Sequence, residues 1–270
     1  MAATRSTTGG MSFGDGVLRQ ADYWGVLWRR TWRGVLATSF LSPFLYVLAM
    51  GVLLGGFIHA DPARLEGAHS YLAFVVPGLI AAHAMQLAVS ETTYPVMGMI
   101  KWRPTYRAMF ATPLESRHIV GAHLATVALH LAAATGIYSL VMAPFGVYAT
   151  WWGAVLSWLT QVAVGMAFAV WIYGFSARLQ NEEGFGLIFR LGVFPLFLFS
   201  GAFFPVSNLG HVGAAIARCT PLWQGVNLSR MLALDHLTWW IAAVNAAVLV
   251  LLVVTGWRWA VAGLQRRMIA

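Results

Sequence analysis

Six runs of mostly apolar residues, at positions 35–58, 71–97, 119–142, 154–175, 185–204 and 239–261, dominate this chain. Each is close to the roughly 20 residues that an α-helix needs to cross the hydrocarbon of a bilayer. The expected fold is therefore all-α and integral to a membrane, with six transmembrane helices. Composition agrees, because 59% of the 270 residues are hydrophobic and only 10% are charged. Mean hydropathy is +0.70, far from the balance of a soluble domain. Six spans take roughly 120 residues, which leaves no room for a large soluble domain.

The net charge of +8 suggests nucleic acid only until its placement is considered. With the N-terminus inside, the inner segments hold Arg5, Arg19, Arg29, Arg30, Arg33, Lys101, Arg103, Arg107, Arg117, Arg178, Arg190, Arg258, Arg266 and Arg267. Only Arg64, Arg218 and Arg230 of the 17 basic residues remain outside. Such asymmetry orients a membrane protein with its basic loops in the cytoplasm. Arg190 and Arg258 fall inside nominal spans, but near inner ends, where long side chains snorkel to the headgroups. Both termini are expected in the cytoplasm, and no nucleic-acid partner is expected. The start, MAATRSTTGGMSFGDG, lacks the apolar core of a cleaved signal peptide. The single Cys219 excludes an intrachain disulfide and a cysteine metal cluster made by this chain alone.

The expected organisation is a flexible cytoplasmic N-terminus at 1–16, an interfacial amphipathic helix at 17–34, one six-span transmembrane domain at 35–264, and a cytoplasmic tail at 265–270. The interfacial helix rests on Trp24, Trp28 and Trp32, which recur every four residues while Arg29, Arg30 and Arg33 lie off that stripe. That pattern suits the headgroup layer. The plainer reading is that this helix extends the first span inward.

Two connections are too long to be turns. At 98–118, Pro104 and Pro113 bracket about two helical turns at 105–112, since proline starts or stops a helix. Tyr106, Met109 and Phe110 share one face there, among Lys101, Arg103, Arg107, Glu115 and Arg117. This short cytoplasmic helix either rests on headgroups or docks a partner. At 205–236 the chain is too polar to span and too apolar for a free loop. Two short external helices are expected, the first capped by Asn208 and the second following Pro221. In the second, Leu222, Val226, Leu228, Met231 and Leu232 mark the apolar face. A segment of this kind re-enters the membrane only if protein or water meets its free backbone groups.

Few side chains invite chemistry. Glu91 lies 20 residues after Tyr71, about 30 Å along a helix, and so is expected near the inner interface, within reach of Arg103, Arg107 or an inner-end arginine of a neighbour. His83, His123 and His130 lie deeper; intramembrane ionisable groups invite functional readings, but neutral histidines bonded within the bundle account for all three. Gly51 and Gly55 form a GxxxG, which permits close helix contact and is common in Gly-rich spans. The only lysine, Lys101, lies in MIKWR, so no P-loop is present and the chain is not expected to be an ATPase. No GxSxG, HExxH or Cys/His metal spacing occurs either, and neither an enzyme nor a metal site is expected.

The stretches ETTYPVMGMIKWRPTYRAMFATPL, SGAFFPVSNL and TPLWQGVNLSR resemble the type-2 ATP-binding-cassette (ABC) exporter permeases. The likeness is to the nodulation-protein J-like branch, which is related to the daunorubicin-resistance permeases, and it covers nearly the whole chain. It implies a transmembrane permease subunit of an exporter in a bacterial inner or plasma membrane. The cargo implied is an amphiphile such as a lipo-oligosaccharide, a glycolipid or a drug-like compound.

The partners implied are two copies of a separate ATPase subunit, which bind the ATP and Mg, together with a second permease subunit, identical or homologous. The interfacial helix would match residues 24–33 and the coupling helix residues 105–112, with Lys101, Arg103, Tyr106, Arg107, Met109 and Phe110 as the ATPase-coupling residues. Glu91 would match an acidic residue at the inner gate, with Pro95 just after it as a departure. The external re-entrant segment would be carried by Phe204, Pro205, Pro221, Trp223 and Arg230. Two other classes of function fit the span count: a proton-coupled secondary transporter using Glu91 and the histidines, which requires an ionisable relay through the midplane, and a membrane scaffold without transport activity.

Overall fold

The computed structural model describes residues 11–47 and 65–269, and among them there is no strand. Four helical stretches are long and apolar enough to cross a membrane: Tyr71–Trp102, Ser116–Phe145, Trp151–Ser176 and Trp239–Ile269. They match four of the six apolar runs. The run at 35–58 is described only as far as Val47, and the Gly51/Gly55 motif lies outside the described residues.

The chain opens with α1 (Phe13–Leu18), which Ser12 caps through the backbone N–H of Asp15. Helix α2 (Ala21–Val47) then runs without a break through both the expected interfacial helix and the start of the first span. The arginine-flanked tryptophan stripe does not lie apart from the bundle. Trp24 is buried, its ring 4.6 Å from that of His123, and Trp28 stacks on His130 at 6.2 Å. Residues four apart on α2 thus meet residues seven apart on the next long helix but one.

Helix α3 (Tyr71–Thr92) ends at Thr93, where φ −91° and ψ −95° leave the helical region. The cause is local: Pro95 has no N–H to give the carbonyl of Glu91 four residues back. The chain resumes as α4 (Tyr94–Met97) and a π-turn at Gly98–Trp102. The coupling segment forms α5 (Thr105–Phe110), two residues shorter than expected. Helix α6 (Ser116–Met142) follows through a capping box in which Glu115 and His118 each accept from the other's backbone N–H. Helix α7 (Trp151–Ser176) begins at Thr150, whose hydroxyl accepts from Gly153.

The fifth run is irregular. It is built from α8 (Glu183–Leu187), a π-turn (Ile188–Val193) and α9 (Phe194–Phe199), about 25 Å at 1.5 Å per residue. The helix stops at Ser200, and not at Phe204 as the hydropathy suggests, because Gly201 turns the chain with φ +80°, a region open to glycine. A 3-10 turn (Val206–Leu209), α10 (Gly210–Arg218) and α11 (Pro221–Ala233) make the segment expected to be external. Asn208 sits within the 3-10 turn and caps nothing, since Gly210 at φ +71° restarts the chain after it. The second cap is Thr220, which accepts from Trp223 N–H at 3.3 Å, with Pro221 as the first helical residue. The last helix, α12 (Trp239–Ile269), has only 17% of its apolar window buried and turns most of its surface outward, toward lipid in a bilayer.

Lipid is as apolar as leucine, so close backbone approach and interhelical hydrogen bonds must hold the helices together. Helix α7 lies at the centre and is placed accordingly. A Cβ on its Gly165 would meet Leu131 and the Ala84 carbonyl, and one on Gly225 of α11 would meet its Val164. Trp158 donates to the Ala132 carbonyl of α6 at 3.1 Å, and Trp171 to the Leu252 carbonyl of α12 at 3.0 Å. The buried apolar residues divide along the bundle. The cluster at the expected inner end surrounds Tyr106, Ile119 and Tyr173, a middle one Met85, Val164 and Leu222, and one at the expected outer end Phe74, Ile80 and Met142.

Candidate coupling and gating sites

The coupling segment presents two different faces. Tyr106 is fully buried, its hydroxyl 2.6 Å from Nδ1 of His123, with the Tyr173 ring 6.5 Å away. Met109 and Phe110 pack half-buried against the same inner cluster. The apolar face of α5 is therefore turned into the bundle, and Tyr106 is not on a docking surface as its pattern suggested. An amphipathic repeat gives the face but not its direction. What α5 exposes is Arg107, with Lys101, Trp102, Arg103 and Pro104 before it. Lys101 forms an ion pair with Glu182 at 3.5 Å, both side chains over 40% exposed; exposed pairs of this kind contribute little. Ile100, Lys101, Pro104 and Arg107 face Arg267 and Met268 of α12 across a polar cleft of about 410 Å³. Nothing in the sequence pointed to the end of α12 or to Glu182 as neighbours of this segment.

Glu91 pairs with His130: its Oε1 lies 2.7 Å from Nδ1 of His130, with both side chains largely buried. His130 lies near the middle of α6, and Glu91 meets it there beside the cluster that holds Ala88, Val96, Val127 and Leu131. Tyr106 of α5 thus meets His123 of α6, and Glu91 of α3 meets His130 two turns further along the same helix. His83 stands apart, edge-on to Tyr138 at 6.0 Å.

At the opposite end of the bundle Arg230 is 4% exposed and uses each guanidinium nitrogen. Nε donates to the Phe74 carbonyl at 2.9 Å, Nη1 to Glu66 Oε2 at 2.8 Å and Nη2 to the Gly201 carbonyl at 2.8 Å. The guanidinium carbon also lies 3.8 Å over the Phe74 ring. Burial pulls the Arg230 pKa below its ordinary value, and the Glu66 carboxylate pushes it back up. Of the other expected residues here, Pro205 is buried, while Phe204, Pro221 and Trp223 are half-buried. A Cβ on Gly201 would lie 3.4 Å from the Trp223 ring, so Trp223 covers the turn that Arg230 holds. Glu66 was missed because one carboxylate in a short loop carries no pattern.

Residues 23–234 match the model of the ABC-2 type transporter family. The chain belongs to that family. It is 32% identical over 221 residues to nodulation protein J of Rhizobium leguminosarum bv. trifolii, covering 79% of this chain and 82% of the relative. Nodulation protein J of R. leguminosarum bv. viciae is 33% identical over 216 residues, covering 77% and 80%. That of Rhizobium meliloti (strain 1021) is 30% identical over 220 residues, covering 78% and 81%. No solved structure matches the chain. The family and its long apolar helices make this chain a transmembrane subunit of an ABC exporter, a membrane component and not itself an enzyme.

Proposed function

We propose that this chain is the permease of an exporter that moves an amphiphilic cargo outward, with six spans and both termini cytoplasmic, driven by two separate ATPase subunits and paired with a second permease. The observation that carries it is the division of the coupling segment. The face of α5 turned inward is locked to α6 through Tyr106, while Trp102, Arg103 and Arg107 remain exposed beside Arg267. A partner that grips the exposed side moves the buried side with it. Closure of the ATPases on ATP would shift α5, the Tyr106–His123 contact would pass the shift to α6, and the Glu91–His130 pair would pass it to α3. A packed bundle responds to such a displacement by moving between discrete arrangements. The energy comes from the partner.

The test is copurification with an ATPase subunit and ATP-dependent transport in proteoliposomes, with Arg103→Glu plus Arg107→Glu expected to abolish both. Normal complex formation and transport by that variant would sink the docking assignment. A proton-coupled secondary transporter remains a second reading because Glu91 and His130 meet midway along α6. Uptake driven by an imposed proton gradient without ATP, lost in Glu91→Gln, would decide for it.

A further inference from the structure

Arg230 joins three stretches that are distant in sequence: the turn at 65–67, the first turn of α3, and the turn that ends α9. Two of these three are non-helical and carry left-handed backbone. Glu66 has φ +54° and Gly67 φ +88°, while Gly201 has φ +80°. A glutamate in that region is strained and persists only where its surroundings over-determine it; here its carboxylate is drawn to a buried cation. The ion pair is lopsided, since the Arg230 side chain is 5% exposed and that of Glu66 40%. Water reaches the carboxylate side of the pair and not the guanidinium side.

The same junction is closed by two further contacts. Tyr71 of α3 donates its hydroxyl to the Phe203 carbonyl at 3.1 Å. A Cβ on Gly78 would lie 2.8 Å from Cα of Ala202, so the chain after α9 lies directly on α3. The residues from Ser200 to Pro205 contain no helix. They form a non-helical joint pressed on α3, and among the described residues Arg230 is the charged group bonded to it.

We propose that Arg230 and Glu66 form an outer latch, a positioning pair that keeps the end of the fifth helical run on α3 in the resting state and releases it when the exit path opens. The geometry stands by itself, and the consequence for transport rests on the exporter reading above. If Glu66 is withdrawn, Arg230 becomes a buried charge without its counter-charge. The 65–67 turn and the 200–205 joint then loosen together, and the outward-open arrangement becomes less costly to reach. Cargo-free cycling should rise, because a smaller gap between two arrangements populates the minor one more.

The experiment uses the full permease with its ATPase in lipid nanodiscs and compares wild type with Glu66→Ala, Glu66→Gln and Arg230→Lys. Amide hydrogen exchange is followed at 65–74 and 200–209, and ATP turnover is measured without cargo. Glu66→Ala is expected to speed exchange about tenfold in both stretches and to raise turnover about threefold. Glu66→Gln should fall between, since its amide oxygen still accepts from Nη1. Arg230→Lys keeps the charge with one nitrogen in place of three and should resemble Glu66→Ala. Unchanged exchange in Glu66→Ala would overturn the latch. Faster exchange with unchanged turnover would overturn its gating role and leave a folding contact. A wild-type complex with no ATP turnover would sink the exporter reading, and the exchange data would still decide whether the latch exists.

Discussion

The carboxylate of Glu91 on α3 and the imidazole of His130 on α6 meet at 2.7 Å, 39 residues apart in sequence and level with the middle of α6. In a medium without water each satisfies a group that the other would leave bare. Trp28 of α2 stacks on the same imidazole, so one contact fixes three helices.

A double-mutant cycle is expected to detect this directly. Glu91→Ala and His130→Ala should each destabilise the bundle, with a coupling energy of about 0.5–1.5 kcal/mol, the range of interhelical hydrogen bonds in membranes. Glu91→Gln retains an acceptor for Nδ1 and should cost less than Glu91→Ala. Unfolding in mixed micelles measures all three. Additive single mutants would mean that the contact carries no energy of its own.

The two faces of the coupling segment should separate in experiment. Tyr106→Ala leaves a cavity in the inner cluster and is expected to cost about 3–5 kcal/mol, whereas Tyr106→Phe loses only a hydrogen bond and costs about 1 kcal/mol. Both effects belong to stability. Trp102→Ala and Arg107→Glu alter exposed side chains and should leave the melting temperature within about 2 °C, because surface changes are small. Pull-down of the ATPase should nevertheless fall severalfold. Loss of binding in Tyr106→Phe with none in Arg107→Glu would place the docking surface on the wrong side of α5.

What the sequence made legible was periodic or compositional. Apolar runs foretold α3, α6, α7 and α12, prolines foretold α5 and α11, and Leu222, Val226, Leu228, Met231 and Leu232 foretold the apolar face of α11, of which all but the half-buried Met231 are buried. Pairings were not legible. That α2 turns Trp24 onto His123, that Glu91 finds His130 and that Arg230 finds Glu66 all depend on how helices are rotated and raised relative to one another. A helix repeat fixes which residues share a face; the neighbour that the face meets is fixed by packing across the bundle. The fifth run misled for a related reason, since hydropathy runs smoothly through Ser200–Phe204 while Gly201 turns the backbone.

Two glycine substitutions should have opposite outcomes. A Cβ at Gly78 would press on the backbone of Ala202 and on Val226, and backbone yields at higher cost than a side-chain tip. Gly78→Ala is therefore expected to destabilise by about 1–3 kcal/mol. Gly186 of α8 has no atom within 4 Å of its would-be Cβ, so Gly186→Ala should be neutral or stabilise by up to about 1 kcal/mol through helix propensity. Thermal unfolding of the two variants in the same detergent checks both signs. A neutral Gly78→Ala would mean that α3 and the joint after α9 are not in close contact.

Topology gives the last expectation. Reporters fused after Arg267 and within 101–117 should read cytoplasmic, and those within 61–69 and 207–230 external. The argument is the basic asymmetry: in the six-span reading only Arg64, Arg218 and Arg230 of the 17 basic residues would fall on the outer side, and basic residues near span ends set orientation. The structure adds a geometric constraint, because Arg230 bonds Glu66, Phe74 and Gly201, so the loop before α3 and the 205–236 segment must share a side. The coupling segment and the end of α12 share the polar cleft at Arg107 and Arg267 and must lie together likewise. Reporters at 61–69 and 207–230 that disagree would break the Arg230 junction. If the C-terminal and 101–117 reporters both read external, the junctions would survive and the orientation would be reversed, with the docking face out of reach of any cytoplasmic ATPase.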